Sequence, residues 1–386
     1  MLKSVLKHYW FTGAATVAVV ASAAYFVAVG EPDSGKTVKN PKSKPKNKLS
    51  GLINEGNTCF INATLQALAS CPIFFNWIDS VLTRKTSDIT EHYLRTTCSL
   101  NMTMAVINNQ HPTIDVHTFN SRQLIQSLEK HGWNLKSEEQ DAHEFFNMLS
   151  TTIDEEINKN NKISKGISID EQATTSVCQP NSSSPFRGYL ASQLCCLSCG
   201  HKSVRYDAFE CLSIPLPKLD VRNAFTMLNV EGLLKQFLAA ETVGEVQCDS
   251  CSLKNGKSVF LKQLSLGKLP QCLCLHIQRC DWTNAGQLTK RQDLVRFSEE
   301  LNVGNFVYTN RLSGNFKPVT YRLRAVVEHL GMADSGHFVT FRRNIVDGRT
   351  RWFYTSDTFT RTATFDEVLK SSPYMLYYDD TYVHLS

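Results

Sequence analysis

Cys59 is the residue in this chain best placed to act as a nucleophile. It lies in residues 51–62, GLINEGNTCFIN, where a turn-rich loop gives way to apolar residues at helical spacing: Ile61, Leu65, Leu68 and Ala69. A thiol in the first turn of a helix faces unpaired backbone N–H groups and the positive end of the dipole. Both favour the thiolate, the reactive form. Asn54 stands five residues upstream on the loop, where a side-chain amide can donate to a developing oxyanion. Read alone, Cys59 fits a buried helix-start cysteine equally well. Its case depends on a base and an orienting group elsewhere in the chain.

The second half supplies both. Residues 331–335 read as a turn, and Gly336-His337 then opens the strand 338–341. A glycine before a strand-edge histidine permits close approach of backbone or substrate. Residues 352–356 form another strand, ending on Ser356 with Asp357 just past it. A cysteine on a helix, followed by a histidine and a polar residue on strand ends, has the order of a papain-type constellation. Further strands are expected at 272–278, 321–328 and 374–378. In 272–278, Leu273, Leu275 and Ile277 face one side and His276 the other. In 321–328, Tyr321, Leu323, Ala325 and Val327 share one face, and 374–378 closes the sheet.

Helices occupy the first half. After Cys59 the helical pattern runs to about Ser80 with a break expected at Pro72. Ser137, with Gln140 as its capping-box partner, reads as the start of a helix carrying Phe145, Met148, Leu149 and Ile153. His143 on that helix reads as a supporting residue. Residues 155–184, rich in Asn, Lys and Ser, read as a mobile insertion.

Two C-x-x-C turns, Cys196/Cys199 and Cys248/Cys251, are separated by forty-eight residues of strand-like sequence. Four thiolates on two tight turns predict a closed, structural Zn2+ site, with Cys195 and His201 as competing ligands.

Composition narrows the class. The chain has 386 residues, 42% hydrophobic and 20% charged, with thirteen cysteines. An odd cysteine count with metal-like spacing points to a reducing compartment. Residues 1–50 hold eight lysines, no arginine and two acids, and the remainder holds thirty-three basic and thirty-four acidic side chains. The body therefore lacks the basic excess that nucleic acid demands. Residues 9–30 carry no charge and are long enough to cross a bilayer, so the sequence predicts one transmembrane helix. The lysine-rich stretch after it predicts a cytosolic body and a short N-terminal tail across the membrane.

The motifs resemble those of the ubiquitin-specific proteases. GLINEGNTCFIN is similar to that family's cysteine box. EEQDAHEFF (138–146), CLSIPLP (211–217), VQCDSC (246–251), LPQCLCLHIQR (269–279), SGHFVTF (335–341), WFYTSD (352–357) and YMLYY (374–378) follow in the family's order. The resemblance implies an α+β, papain-like fold: a helical thumb, a sheet-rich palm and zinc-ribbon fingers behind one N-terminal membrane helix. It implies a tail at 1–8, the span at 9–30, a basic linker at 31–48, a catalytic domain at 49–380 and a tail at 381–386. It also implies a thiol protease hydrolysing the isopeptide bond at the C-terminal glycine of ubiquitin. Cys59 is then the nucleophile, His337 the base, Asn54 the oxyanion donor, and Cys196, Cys199, Cys248 and Cys251 the zinc ligands. Gln140 and Asp141 line the channel for the ubiquitin tail. The third position departs from the family's usual Asp or Asn. Here it is Ser356, with Asp357 the alternative orienter or a contact of the oxyanion region. The membrane span, the linker and the serine resemble the family member of the mitochondrial outer membrane that opposes mitophagy. The partners implied are ubiquitin, its chains, ubiquitinated outer-membrane proteins and the bilayer. A non-catalytic ubiquitin-binding scaffold and a protease for another ubiquitin-like modifier are the alternatives.

Overall fold

The computed structural model describes residues 48–83, 93–135, 140–164, 183–218, 227–251, 258–282, 286–308, 319–333 and 335–381. The expected membrane span at 9–30, the linker and Ser137 lie outside these residues. Among the described residues no single helix is long and apolar enough to cross a membrane.

Helices come first. Cys59–Leu68 and Pro72–Thr83 are separate and bent by 89° where Pro72 interrupts the ladder. Every residue of the first is buried, so this nucleophile helix is a core element on all sides. Arg95–Ile107 and the long helix Ala142–Ser164 pack beside it.

The long helix corrects two expectations. Its start is capped by Asp141, whose Oδ1 accepts from the N–H groups of His143 (2.6 Å) and Glu144 (3.2 Å). It also runs through residues 155–164, which read as insertion in the sequence. Glu156 there is 3% exposed. Its carboxylate accepts from the N–H groups of Thr96 and Thr97 at 2.8 and 2.9 Å, filling the first turn of Arg95–Ile107. Polarity at 155–164 therefore serves a buried cap and an outer face.

Among the described residues the main sheet has eight strands. Its path is Phe359–Ala363, Arg349–Ser356, Gly336–Val346, Thr320–Gly331, Pro373–Asp380, Cys272–Gln278 and Cys211–Pro215, with Glu300–Asn302 paired to Thr320–Gly331 off the path. All neighbours are antiparallel except the last two. The strand expected to close the sheet instead fills its centre, which explains why residues 373–379 are buried without alternation. Two cores flank the sheet, one against the helices and one against Val230–Phe237 and the loops beyond. A register shift between Leu323 and Ala325 turns the strand over. Tyr321 and Leu323 face the second core, whereas Ala325 and Val327 face the helices, against the expectation of one shared face. Leu273, Leu275 and Ile277 do share a face, with Cys272, Cys274 and His276 on the helix side.

A second, four-stranded antiparallel sheet runs in the order Lys202–Phe209, Gly188–Cys196, Ser258–Lys268, Glu241–Val246. It carries both C-x-x-C turns.

Candidate active site

The nucleophile helix is held against the strand of His337 by two bonds one helical turn apart. Thr340 Oγ1 donates to the Ala63 carbonyl (2.8 Å), and buried Arg342 donates to Gln66 Oε1 (2.7 Å). Cys59 lies one turn before Ala63, and His337 lies three residues before Thr340, so both elements run toward the same end. Cys59 is 4% exposed.

The loop before Cys59 is built around Asn54. Its Oδ1 accepts from Gly56 N, Thr58 N and Thr58 Oγ1, each at 3.1 Å. This wraps Gly56 and Asn57, with φ of 88° and 51°, into a tight left-handed turn. The oxygen's engagement fixes where the amide nitrogen points. Asn54 Nδ2 donates to Asp357 Oδ2 at 2.9 Å, and Asn62 Nδ2 donates to Asp357 Oδ1 at 2.8 Å. Asp357 itself sits at φ 48°, and its carbonyl accepts from Leu52 N at 2.8 Å. Gly51 permits this crossing. A Cβ there would lie 2.4 Å from the Thr358 carbonyl oxygen.

His337 Nε2 lies 2.8 Å from Ser356 Oγ and 3.9 Å from Asp357 Oδ2. Ser356 is therefore the hydrogen-bonding neighbour. Asp357 contributes a nearby charge while its oxygens hold the two asparagines. Asn62 was quoted in the cysteine stretch without a role. Its signal was spacing, since position i+3 from Cys59 shares a helix face.

The hairpin leading to His337 has its own supports. Lys290 Nζ donates to the carbonyls of His329 (2.7 Å) and Gly331 (2.9 Å). The His329 ring stacks on Phe338 at 4.3 Å. A Cβ on Gly336 would lie 2.1 Å from His329 Nε2 and 2.4 Å from the Leu330 carbonyl oxygen. The glycine admits the neighbouring strand rather than substrate alone. Gly336→Ala must push the hairpin aside, and His337 with it. An expected loss of about 10²-fold in kcat/KM follows from displacement on the order of 1 Å. Unchanged turnover in a folded Gly336→Ala protein would contradict this.

Gln140 and Asp141 stand at the head of the long helix. Gln140 Nε2 donates to the Asn134 carbonyl at 2.5 Å, and the Tyr374 hydroxyl donates to Asp141 Oδ2. Tyr374 in turn packs against His276, His329 and Phe338. Burial holds His276 neutral, down to about 3, with the His143 charge adding to the effect. Burial and then the Lys290 charge lower His329 to about 4. Both folded values lie below the ordinary histidine value, so the unfolded chain takes up these protons first. Each contribution to stability is present above about pH 6.5 and is lost as pH falls toward the folded value. Ring NMR resonances of His276 and His329 should stay in the neutral form from pH 7.5 to about 5; titration of either near 6.5 would refute their desolvation.

The four expected metal ligands converge at the tip of the smaller sheet. The sulfur atoms of Cys196, Cys199, Cys248 and Cys251 all lie within 4.8 Å of one another. Cys196–Cys251 and Cys199–Cys248 separations are 3.5 and 3.7 Å. A tetrahedral ion with metal–sulfur bonds near 2.3 Å requires edges of about 3.8 Å, so the four residues fit zinc. Cys195 and His201 are outside the group.

Sequence comparison decides the family. The ubiquitin carboxyl-terminal hydrolase family model matches residues 50–378. The chain belongs to that family. It is 31% identical to ubiquitin carboxyl-terminal hydrolase 30 of Xenopus tropicalis, over 89% of this chain and 83% of that protein. It is 28% identical to the Homo sapiens protein of the same name, over 88% and 85%. A chain of the SAGA Ubp8/Sgf11/Sus1/Sgf73 DUB module bound to ubiquitin aldehyde shares the fold, with TM-score 0.69 at 24% identity over 86% of this chain and 69% of that one. The α+β papain-like fold and its zinc-ribbon-like cysteine cluster are thus those of the family. Like its members, this chain is a thiol-dependent ubiquitin hydrolase.

Proposed function

We propose that this enzyme removes ubiquitin from proteins of the mitochondrial outer membrane, to which residues 9–30 anchor it, and so opposes mitophagy. The observation that carries the catalytic part is the contact chain from His337 through Ser356 and Asp357 to Asn54 and Asn62 around Cys59. The family resemblance, the similarity to ubiquitin carboxyl-terminal hydrolase 30 and the basic-flanked apolar span support the location.

Chemistry follows from the positions. With His337 Nε2 turned to Ser356, Nδ1 is the nitrogen that serves the Cys59 thiol. The thiolate attacks the carbonyl of ubiquitin's terminal glycine, and the carbonyl π electrons move onto oxygen. Asn54 Nδ2, steered by Asp357, and the backbone N–H at the helix start stabilise that oxyanion. The imidazolium protonates the leaving lysine amine as the C–N bond breaks. Water, deprotonated by the same imidazole, then hydrolyses the thioester. Serine supplies the hydrogen bond that fixes the ring, and Asp357, 3.9 Å away, supplies the charge that serine lacks. Cys196, Cys199, Cys248 and Cys251 would hold zinc as a strand clasp with no part in the chemistry. Gln140 and Asp141 line the route of the ubiquitin tail. Because Asp141 is already shared with Tyr374 and the helix start, its carboxylate is preset to receive a cationic side chain.

Reaction with an electrophile placed at the ubiquitin C-terminus tests the catalytic reading. The full chain should label and Cys59→Ala should not. Labelling only by a different modifier would replace ubiquitin as substrate. A reporter fused to residues 1–48 should decorate mitochondria; a reticular pattern would overturn the location.

A further inference from the structure

We propose that Cys211 is a second reactive thiol, a site for oxidation by peroxide and for other small electrophiles, paired with His143 behind the expected tail channel. Cys211 opens the strand Cys211–Pro215 and is only partly buried. It lies in register with Cys274 on the parallel neighbour. Across from both, the long helix presents His143, whose ring stacks on His276 at 4.1 Å. His143 Nε2 lies 3.0 Å from Asn147 Nδ2, which leaves Nδ1 for the Cys211 sulfur. Either orientation of the Asn147 amide gives Nε2 a partner, so His143 can be neutral or protonated beside the thiol. His276 is pinned in turn, its Nδ1 lying 2.5 Å from Ser213 Oγ.

The environment separates two neighbouring thiols. Burial alone raises the Cys211 pKa, but hydrogen bonds from Cys274 and His143 and the His143 charge outweigh it and bring it to about 7. Burial lowers the His143 pKa, yet contact with Cys211 and the charges of Asp141 and Glu144 leave it raised. Cys274 is fully buried and its thiol is pushed well up, so it remains a donor. A cavity of about 270 Å³ is lined by Asn147, the partner of His143, and by Glu210, the residue before Cys211. The cavity adjoins the pair, and the partial exposure of Cys211 itself gives a small oxidant access to the thiol.

The step balances with hydrogen peroxide as the named oxidant. The Cys211 thiolate attacks one peroxide oxygen, an S–O bond forms and the O–O bond breaks. Hydroxide leaves, takes a proton and becomes water, and sulfur is oxidised by two electrons to sulfenic acid. The added oxygen occupies the space against His143. The backbone N–H of His143 donates to Asp141 Oδ1, and Asp141 Oδ2 accepts from the Tyr374 hydroxyl. Oxidation at Cys211 therefore displaces the head of the long helix, where Gln140 and Asp141 stand. This consequence rests on the functional reading above; the thiol chemistry does not.

The test uses the full chain carrying Cys59→Ala, which removes the nucleophile without touching Cys211. Iodoacetamide labelling resolved by mass spectrometry should modify Cys211 at least about tenfold faster at neutral pH than half-buried Cys280, whose thiol burial pushes up. The rate should be half-maximal near pH 7 and should fall on His143→Gln. Equal rates for the two cysteines, or no dependence on His143, would overturn the site. Peroxide should then weaken ubiquitin binding by at least about fivefold in Cys59→Ala and leave Cys59→Ala/Cys211→Ser unchanged. Fast Cys211 labelling with unaltered ubiquitin affinity would overturn the coupling to the channel while leaving the thiol assignment intact.

Discussion

Asp357→Ala is expected to lower kcat/KM toward ubiquitin-linked amides by roughly 10²–10³-fold, the range for loss of an oxyanion donor. Both carboxylate oxygens are occupied, one by Asn54 Nδ2 and one by Asn62 Nδ2. Removing them takes away the partner that steers the Asn54 amide nitrogen and leaves the nitrogen of Asn62, which is 2% exposed, on its longer bond to the Ile53 carbonyl at 3.3 Å. Alanine also fits poorly at φ 48°. Ser356→Ala removes a single hydrogen bond, at 2.8 Å from His337, and leaves the charge of Asp357 in place. Its expected loss is about tenfold, because the bond it removes orients the ring. The two variants are separated by what each changes. Asp357→Ala should depress kcat and weaken binding of a ubiquitin aldehyde, whose tetrahedral adduct uses the oxyanion site. Ser356→Ala should lower kcat by the smaller factor and spare that affinity. If Ser356→Ala is the more damaging and Asp357→Ala leaves aldehyde affinity unchanged, Asp357 does not act through Asn54.

Stripping the four-cysteine site should unfold the tip of the smaller sheet while sparing the nucleophile. Around the cysteines, among the described residues, the tip buries only Phe260, supported by partly buried Leu194. Strand Lys202–Phe209 is largely exposed. So little apolar area cannot offset the entropy of ordering the strand ends at the tip, whereas Leu190, Leu264 and Leu266 at the other end of the sheet pack into the second core. Structural zinc supplies on the order of 10 kcal/mol of folding free energy in small ribbons, and removing it withdraws that term. The protein should contain one zinc per chain. Its removal by a chelator, or Cys251→Ser, should abolish amide protection at the tip, in residues 194–196 and 258–261, and raise KM for ubiquitin substrates. Alkylation of Cys59 by iodoacetamide should be unchanged, since the main sheet and its two cores do not include the tip. Full amide protection in the metal-free protein would show that the sheet stands without its clasp.

Much of the site could be read from local sequence, for a physical reason. Cys59 and Asn54 share one short loop and helix start, where the turn residues dictate geometry over a few positions. Each C-x-x-C turn likewise fixes its two sulfurs locally, and the strand pattern between them implied that the two turns meet. Gly336-His337 at a strand edge was legible because glycine marks close approach, although the approaching group is His329 of the neighbouring strand.

What the sequence left open depended on partners distant in the chain. Whether Ser356 or Asp357 faces His337 follows from the left-handed backbone at Asp357, which sends adjacent side chains to different partners. Nothing local announces that Asp357 reaches Asn54 and Asn62, about three hundred positions earlier. The central place of Pro373–Asp380 and the bulge at Leu323/Ala325 are likewise properties of the assembled sheet. The polar stretch at 155–164 looked like loop because Glu156 is buried only in the presence of the helix it caps. Periodicity and turn chemistry are short-range, so the sequence alone determined the reactive groups and the elements that carry them. Register, face and the pairing of buried polar groups come from contacts between distant segments, and the tertiary structure alone decided those.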